Sequence, residues 1–341
     1  MSLLELVLNV VLPPSAALSL VLLWPLLTIH DVFRWMFSWL VHEDVRGKVI
    51  LITGSSSGIG EHMAYEYARR GARLVLVARR EDQLRAVADR AITKGASDVH
   101  VLVGDMTKED DCKSVIDATI HKYGRLDHLI NNAGNNNSFF FEDTQDTKAL
   151  TTVVDTDFWG PVYMTYFALP HLRRTYGKIL VTASVGSYIA FPRESIYNGA
   201  KAGILQFFDT LRVEAGDTIG ITVLMPGFTE SEGTRGKMIN ENGEMIFNQK
   251  KRDEHFGPSP MAFTEEVAKA AVKGMLRGQR YVIVPFYYSV FLLYRVFAPE
   301  VMEWMFRFGF VSHPEKPRSK QALEATNAQN VLYPKSTLKG E

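Results

Sequence analysis

The chain has 341 residues, 46 % of them hydrophobic and 22 % charged, with 38 basic against 38 acidic side chains. That is enough chain for one large core with appendages, and the balanced charge, with no basic stripe interleaved with aromatics, speaks against a nucleic-acid partner. The single cysteine, Cys112, excludes an internal disulfide and a cysteine-rich metal site, so no metal is expected.

At the N-terminus, Leu6 to Ile29 is a run of 24 residues without a charge, broken by Pro13, Pro14 and Pro25 and followed by Phe33, Trp35, Phe37 and Trp39. Length and composition predict a membrane segment, and residues 1–45 are read as an anchor. A cleaved signal peptide fits less well, because no basic residue precedes the run and Glu5 stands where one is expected. A buried core helix is the remaining alternative. The proline pair admits a hairpin that enters and leaves on one side, which suits a droplet monolayer as well as a bilayer. Arg34, Arg46 and Lys48 follow the run, which places the next domain in the cytosol.

Lys48 to Gly60 reads Lys-Val-Ile-Leu-Ile-Thr-Gly-Ser-Ser-Ser-Gly-Ile-Gly. The β-branched run Val49–Ile52 suits a strand buried on both faces, and the glycine-rich turn into a helix makes a phosphate cradle. Strands follow over Leu74–Val77, Val99–Val103, Leu126–Ile130, Lys178–Thr182, Ile221–Leu224 and Tyr281–Val284, and helices alternate with them. This alternation predicts an α/β fold with a doubly wound parallel sheet spanning 46–284. Asn131-Asn132-Ala133-Gly134 falls at the carboxyl end of the fourth strand, where such sheets bind ligands. Glu230 to Pro260 is polar, rich in glycine and too long for a connector, so it is read as a lid. Residues 285–311 are dense in aromatics, with an amphipathic helix pair split at Pro299 that either touches a membrane or packs over the core. The tail, 312–341, is polar and expected to lack order.

Tyr197 and Lys201 stand four apart on a helix and share a face, the spacing that lets a cation acidify a phenol. Moving a phenol from about pH 10 to about 7 takes roughly 4 kcal/mol, which a unit charge about 4 Å away supplies at an effective dielectric of about 20.

Taken together, Thr53-Gly-x-x-x-Gly-x-Gly60, Asn131 to Gly134, Ser184 and Tyr197-x-x-x-Lys201 resemble the short-chain dehydrogenases/reductases, a family with a Rossmann fold. With Tyr65-Glu-Tyr67, Arg125-Leu-Asp-His128, Phe158-Trp-Gly160, Ala168-Leu-Pro170 and Tyr333-Pro334, the chain is similar to the plant steroleosins, or 11β-hydroxysteroid dehydrogenase-like proteins, over nearly its whole length. The resemblance implies hydride transfer between NADP(H) and a hydroxyl or ketone of a sterol-like apolar substrate. Tyr197 would be the general acid/base, Ser184 would hydrogen-bond the reacting oxygen, and Lys201 would hold the nicotinamide ribose. Gly54, Ser55, Ser56, Ser57, Gly58, Ile59 and Gly60 would line the cofactor phosphates. Asp105 and Met106 would line the adenine, Asn132, Ala133 and Gly134 the adenosine side, and Pro226, Gly227 and Thr229 the carboxamide end. Lipid-droplet or endoplasmic-reticulum localisation is expected from the N-terminal anchor, and a homodimer from the family.

Two positions refine this reading. The second strand ends Val77-Ala78-Arg79-Arg80, which offers no carboxylate for a ribose 2′-hydroxyl, whereas Arg79 can pair with a 2′-phosphate, favouring NADP. Asp157 stands where the family usually has Asn, the fourth member of its catalytic group, and an ionised carboxylate there opposes Tyr197 ionisation. A sterol-binding or droplet-surface protein with weak turnover is therefore the alternative, and a coat element with a spacer domain is another.

Overall fold

The computed structural model describes residues 2–37, 43–313 and 317–338; Trp39, read as part of the anchor, and residues 339–341 of the tail lie outside them. The chain divides into two units, one ending at Asp44 and the other beginning at Val45.

Among the described residues the first unit holds one helix, α1 (Leu3–Phe37), that runs through Pro13, Pro14 and Pro25 without a turn. The hairpin allowed by the proline pair is not formed. Each proline removes one ladder bond, but the pair is adjacent and the helix, 35 residues in all, is long; the Ser15 and Ser19 hydroxyls also donate back to the Leu12 and Ala16 carbonyls.

The second unit carries a sheet whose strands are β1 (Val49–Thr53), β2 (Arg73–Ala78), β3 (Asp98–Val103), β4 (His128–Asn131), β5 (Lys178–Thr182), β6 (Gly220–Pro226) and a last strand, Tyr281–Val284. All pair in parallel, in the order β3-β2-β1-β4-β5-β6 with Tyr281–Val284 at the far edge. Alternation within each strand builds two cores. Val49, Leu51, Val75, Val77, Leu129, Ile179 and Val181 face one side, against α4 (Glu109–Tyr123), α6 (Gly160–Thr175) and α7 (Ser195–Ala215). Ile50, Ile52, Leu74, Leu76, Ile130 and Leu180 face the other, against α2 (Gly58–Ala68), α3 (Glu81–Thr93) and α9 (Thr264–Leu276). Each fully buried aliphatic side chain contributes about 1.5–3 kcal/mol, which is why unbroken apolar runs specify these strands.

A short helix, α5 (Lys148–Val154), joins α6 through one π turn over Asp155–Trp159. The expected lid is built from a hairpin, β7 (Lys237–Ile239) with β8 (Met245–Phe247), and α8 (Gln249–Phe256). After the sheet's edge strand, now β9, come α10 (Val290–Phe297) and α11 (Pro299–Phe306), split at Pro299 as the sequence suggests.

The tail differs from expectation. It forms α12 (Arg318–Thr326), α13 (Gln329–Leu332) and α14 (Lys335–Leu338). Its polar composition hides two anchors, Leu323 and Tyr333, which are buried against Phe256 and Met261. Tyr333 donates to the Gly257 carbonyl at 2.6 Å, Arg252 donates to the Thr337 carbonyl at 2.5 Å, and Lys320 pairs with Glu254 at 3.1 Å. Local apolar content is too low to order the segment alone, and the lid supplies the rest of its core.

Candidate active site

The sheet reverses its winding between β1 and β4, and a crevice opens there at the carboxyl ends of the strands. Its walls are held by polar side chains that bridge the two strands. Thr53 Oγ1 accepts from the backbone amides of Asn132 (3.0 Å) and Ala133 (3.2 Å), while Asn132 Nδ2 donates to the Thr53 and Gly54 carbonyls at 3.3 Å. Gly60 packs so tightly that a Cβ there would lie 2.4 Å from the Gly54 carbonyl oxygen.

The cleft encloses about 370 Å³. Along its wall lie Gly54, Ser56, Ser57, Gly58 and Ile59, then Arg79, Asp105 and Met106, then Asn132, Ala133 and Gly134, and finally Pro226, Gly227 and Thr229. Ser184, Tyr197, Lys201 and Asp157 line the same cleft. Two expected members do not. Ser55 is fully buried and exchanges hydrogen bonds with the Val77 backbone, and Gly60 serves the packing of α2. Sequence reasoning missed Arg80, Glu194, Glu232 and Lys237 in the wall. Arg80 had a signal in its neighbour Arg79; Glu194, Glu232 and Lys237 had none, because only the fold brings their segments to the cleft wall.

A dinucleotide fits this wall. Gly58 has a φ of +63°, and a Cβ there would find only Ser231, 4.0 Å away, so the missing side chain leaves backbone bare beside the first turn of α2. Ser57, at the start of that helix, makes no capping bond with its own side chain, leaving first-turn amides for an anion.

The reacting end centres on α7. Ser184, after β5, accepts from the Gly186 amide at 3.0 Å, and the Lys201 ammonium donates to the Thr182 carbonyl at 2.9 Å. Lys201 Nζ lies 5.6 Å from the centre of the Tyr197 ring and 2.9 Å from Asp157 Oδ1. Asp157 sits in the π turn, where the irregularity aims its carboxylate inward, and its other oxygen accepts from the Asn135 amide at 3.1 Å. Gly134 permits this approach, since a Cβ there would be 2.7 Å from Asp157 Oδ1.

Electrostatics here run against the expected acidification of Tyr197. Burial pushes the phenol well above its ordinary range, the Asp157 and Glu194 carboxylates push further the same way, and only a hydrogen bond with Ser184 opposes them. The Lys201 ammonium, 2.9 Å from Asp157, does not offset this rise. Asp157 itself is raised by burial, against the pull of Lys201 and the Asn135 amide.

Residues 48–242 match the family model for short chain dehydrogenase. The chain belongs to the short-chain dehydrogenase/reductase family. It is 49 % identical over 313 residues to an 11-beta-hydroxysteroid dehydrogenase of Pinus massoniana, covering 92 % of this chain and 88 % of that one. It is 44 % identical over 340 residues to 11-beta-hydroxysteroid dehydrogenase A of Sesamum indicum, covering 98 % and 97 %. Among solved structures, a family member from Burkholderia phymatum in complex with NAD superposes with a TM-score of 0.64 at 22 % identity, over 77 % of this chain and 96 % of that one. An alcohol dehydrogenase from Thermococcus sibiricus complexed with 5-hydroxy-NADP gives 0.59 at 24 %, over 70 % and 96 %. These two likenesses show the fold. As a hydroxysteroid dehydrogenase-like member of its family, the protein is an oxidoreductase that uses a nicotinamide cofactor.

Proposed function

We propose that this oxidoreductase uses NADP(H), acts on a hydroxyl or ketone of a sterol-like apolar molecule, and works at an endoplasmic-reticulum or lipid-droplet surface with its catalytic domain in the cytosol. The carrying observation is that Ser184, Tyr197 and Lys201 converge in one cleft with the glycine-rich turn. When bound, the nicotinamide ring supplies the hydride donor or acceptor. Tyr197 exchanges the proton with the substrate oxygen, Ser184 hydrogen-bonds that oxygen, and Lys201 holds the ribose hydroxyls with a donor not committed to Asp157 or Thr182. Gly54, Ser56, Ser57, Gly58 and Ile59 hold the phosphates, Asp105 and Met106 the adenine, Asn132, Ala133 and Gly134 the adenosine side, and Pro226, Gly227 and Thr229 the carboxamide end.

The substrate class is supported by the aromatic side of the cleft. Phe191, Phe228, Met245 and Phe256 line it, with the Phe228 and Phe256 rings 4.7 Å apart. NADP is supported by the arginines after β2 and by the absence of an acidic residue at 78–80. Membrane attachment is supported by α1, whose residues Leu4–His30 form the one helix among those described that is long and apolar enough to cross a bilayer. A second apolar face on the catalytic unit, with Phe286, Leu293, Phe297 and Trp304 exposed on and before α10 and α11, suits the same surface.

The buried Asp157–Lys201 pair favours a second reading, a sterol-binding or droplet-surface protein with slow turnover. Purified full-length protein, offered sterols, retinoids and aliphatic alcohols while NADPH absorbance is followed, separates the two. Turnover of a sterol is expected; specific sterol binding without turnover would overturn the enzymatic reading.

A further inference from the structure

Each of the two arginines after β2 faces a carboxylate. Arg79 Nη1 is 4.0 Å from Asp105 Oδ2, and its side chain is 60 % exposed. Arg80 reaches inward. Its Nη1 donates to Glu232 Oε1 at 2.6 Å, and its Nη2 donates to the hydroxyls of Ser57 (3.0 Å) and Ser56 (3.3 Å) in the glycine-rich turn. Glu232 comes from the lid, and its Oε2 accepts from Lys237 Nζ at 2.6 Å. Burial alone would raise the Glu232 carboxyl, yet Lys237 and Arg80 outweigh it and hold the group below the ordinary carboxylate range. It is therefore ionised at neutral pH.

A guanidinium, an ammonium and two hydroxyls beside a helix N-terminus form a donor set for a phosphate, and all of them lie on the cleft wall. Here two of those donors are engaged by a carboxylate. We infer that Glu232 is a built-in competitor for the cofactor's 2′-phosphate, so that NADP(H) binds by exchanging Glu232 for phosphate on Arg80 and Lys237. The inference rests on the NADP reading above. It gives the lid a part in cofactor choice: a dinucleotide without the 2′-phosphate leaves the Arg80–Glu232–Lys237 set intact, whereas the phosphate must break it. Discrimination between the two cofactors is then smaller than Arg80 alone would provide.

The test titrates 2′,5′-ADP and 5′-AMP into the full chain in detergent by calorimetry. Wild type is compared with Glu232→Gln, Arg80→Met and the double variant, and thermal unfolding checks that each is folded. Removing a unit charge from this solvent-screened site should make 2′,5′-ADP bind about three- to tenfold more tightly, with 5′-AMP unchanged. In the Arg80→Met background the gain should shrink, because Lys237 is then the one cation left for Glu232 and the phosphate to share. Glu232→Ala, which removes the carboxylate by a different route, should reproduce the gain. Unchanged or weaker 2′,5′-ADP binding in both Glu232 variants overturns the inference and leaves the NADP reading standing. Equal affinity of the Glu232 variants for 2′,5′-ADP and 5′-AMP, with the competitor gone, overturns the NADP reading, and the inference with it.

Discussion

Lys201 Nζ lies 2.9 Å from Asp157 Oδ1, with the two side chains 4 % and 0 % exposed. This ion pair stands beside Tyr197 and decides how strongly the ammonium can favour a phenolate. Replacing Asp157 by Asn removes a carboxylate that raises the Tyr197 pKa, second only to burial. Removing a unit charge this close to a buried phenol should be worth at least about one pH unit. Because the phenol's pKa falls, the acidic limb of the pH–rate profile for alcohol oxidation, where the phenolate base is lost to protonation, should move to lower pH, with a higher rate near neutrality. An unchanged profile would make Asp157 a neutral variation.

Tyr197→Phe should lower turnover by about 10²–10⁴-fold while leaving Tm unchanged, since only a hydroxyl at the cleft is lost. Lys201→Ala is a different case, because the structure buries this lysine against a carboxylate. Removing one partner leaves Asp157 without its countercharge and should cost about 3–5 kcal/mol of stability in addition to activity. Lys201→Met combined with Asp157→Asn should recover Tm without recovering turnover. Thermal unfolding and steady-state rates on these three variants check both halves.

Arg79→Ala and Arg80→Ala should differ. Arg80, tied to Ser56 and Ser57 in the phosphate turn, should weaken NADPH binding by about 1.5–3 kcal/mol when lost, whereas the exposed Arg79 should matter less. Equal effects on NADPH and NADH from the Arg80 change would remove the basis for NADP preference.

The ordered tail makes a prediction of its own. Tyr333 packs with Leu323, Phe256 and Met261, and Phe256 also lines the cleft, so the tail supports the lid from outside. Tyr333→Ala should destabilise the protein by about 3–5 kcal/mol and raise the substrate KM more than the cofactor KM. A variant with normal Tm and kinetics would show that the tail is a passive covering.

The parallel sheet was legible because its strands are continuous aliphatic runs; β2 and β6 merely extend past the predicted ends, to Arg73, Ala78, Gly220 and Pro226, where polar or turn residues carry the ladder on. Ser184, Tyr197 and Lys201 were legible because Ser184 follows the carboxyl end of β5 and the other two share one face of α7. The 2.9 Å contact between Asp157 and Lys201 was not legible, because it depends on the π turn that aims the carboxylate inward. Arg80, Glu232 and Lys237 escaped notice because an ion pair bridging 152 positions leaves no periodic trace. The tail helices escaped because their apolar partners belong to another element.

The final prediction concerns α1. Residues Leu4–His30 number 27, and as a straight helix they reach about 40 Å, more than the ~30 Å hydrocarbon layer of a bilayer. A straight helix suits the endoplasmic reticulum, where its far end can emerge into water, but not a droplet monolayer, which has no second aqueous side. On a droplet the segment must bend, and Pro13-Pro14, which already lack two ladder donors, are where bending costs least. Replacing both prolines by alanine should therefore leave microsomal attachment intact and reduce the droplet fraction. A chain beginning at Val45 should keep its Tm, since the catalytic unit begins there, and should leave both membranes unless the apolar face of α10 and α11 holds it. With the catalytic unit in the cytosol, protease added to intact microsomes should digest it; protection would reverse the orientation. Equal droplet fractions for wild type and the double alanine variant would show that droplet attachment does not depend on a bend at this pair.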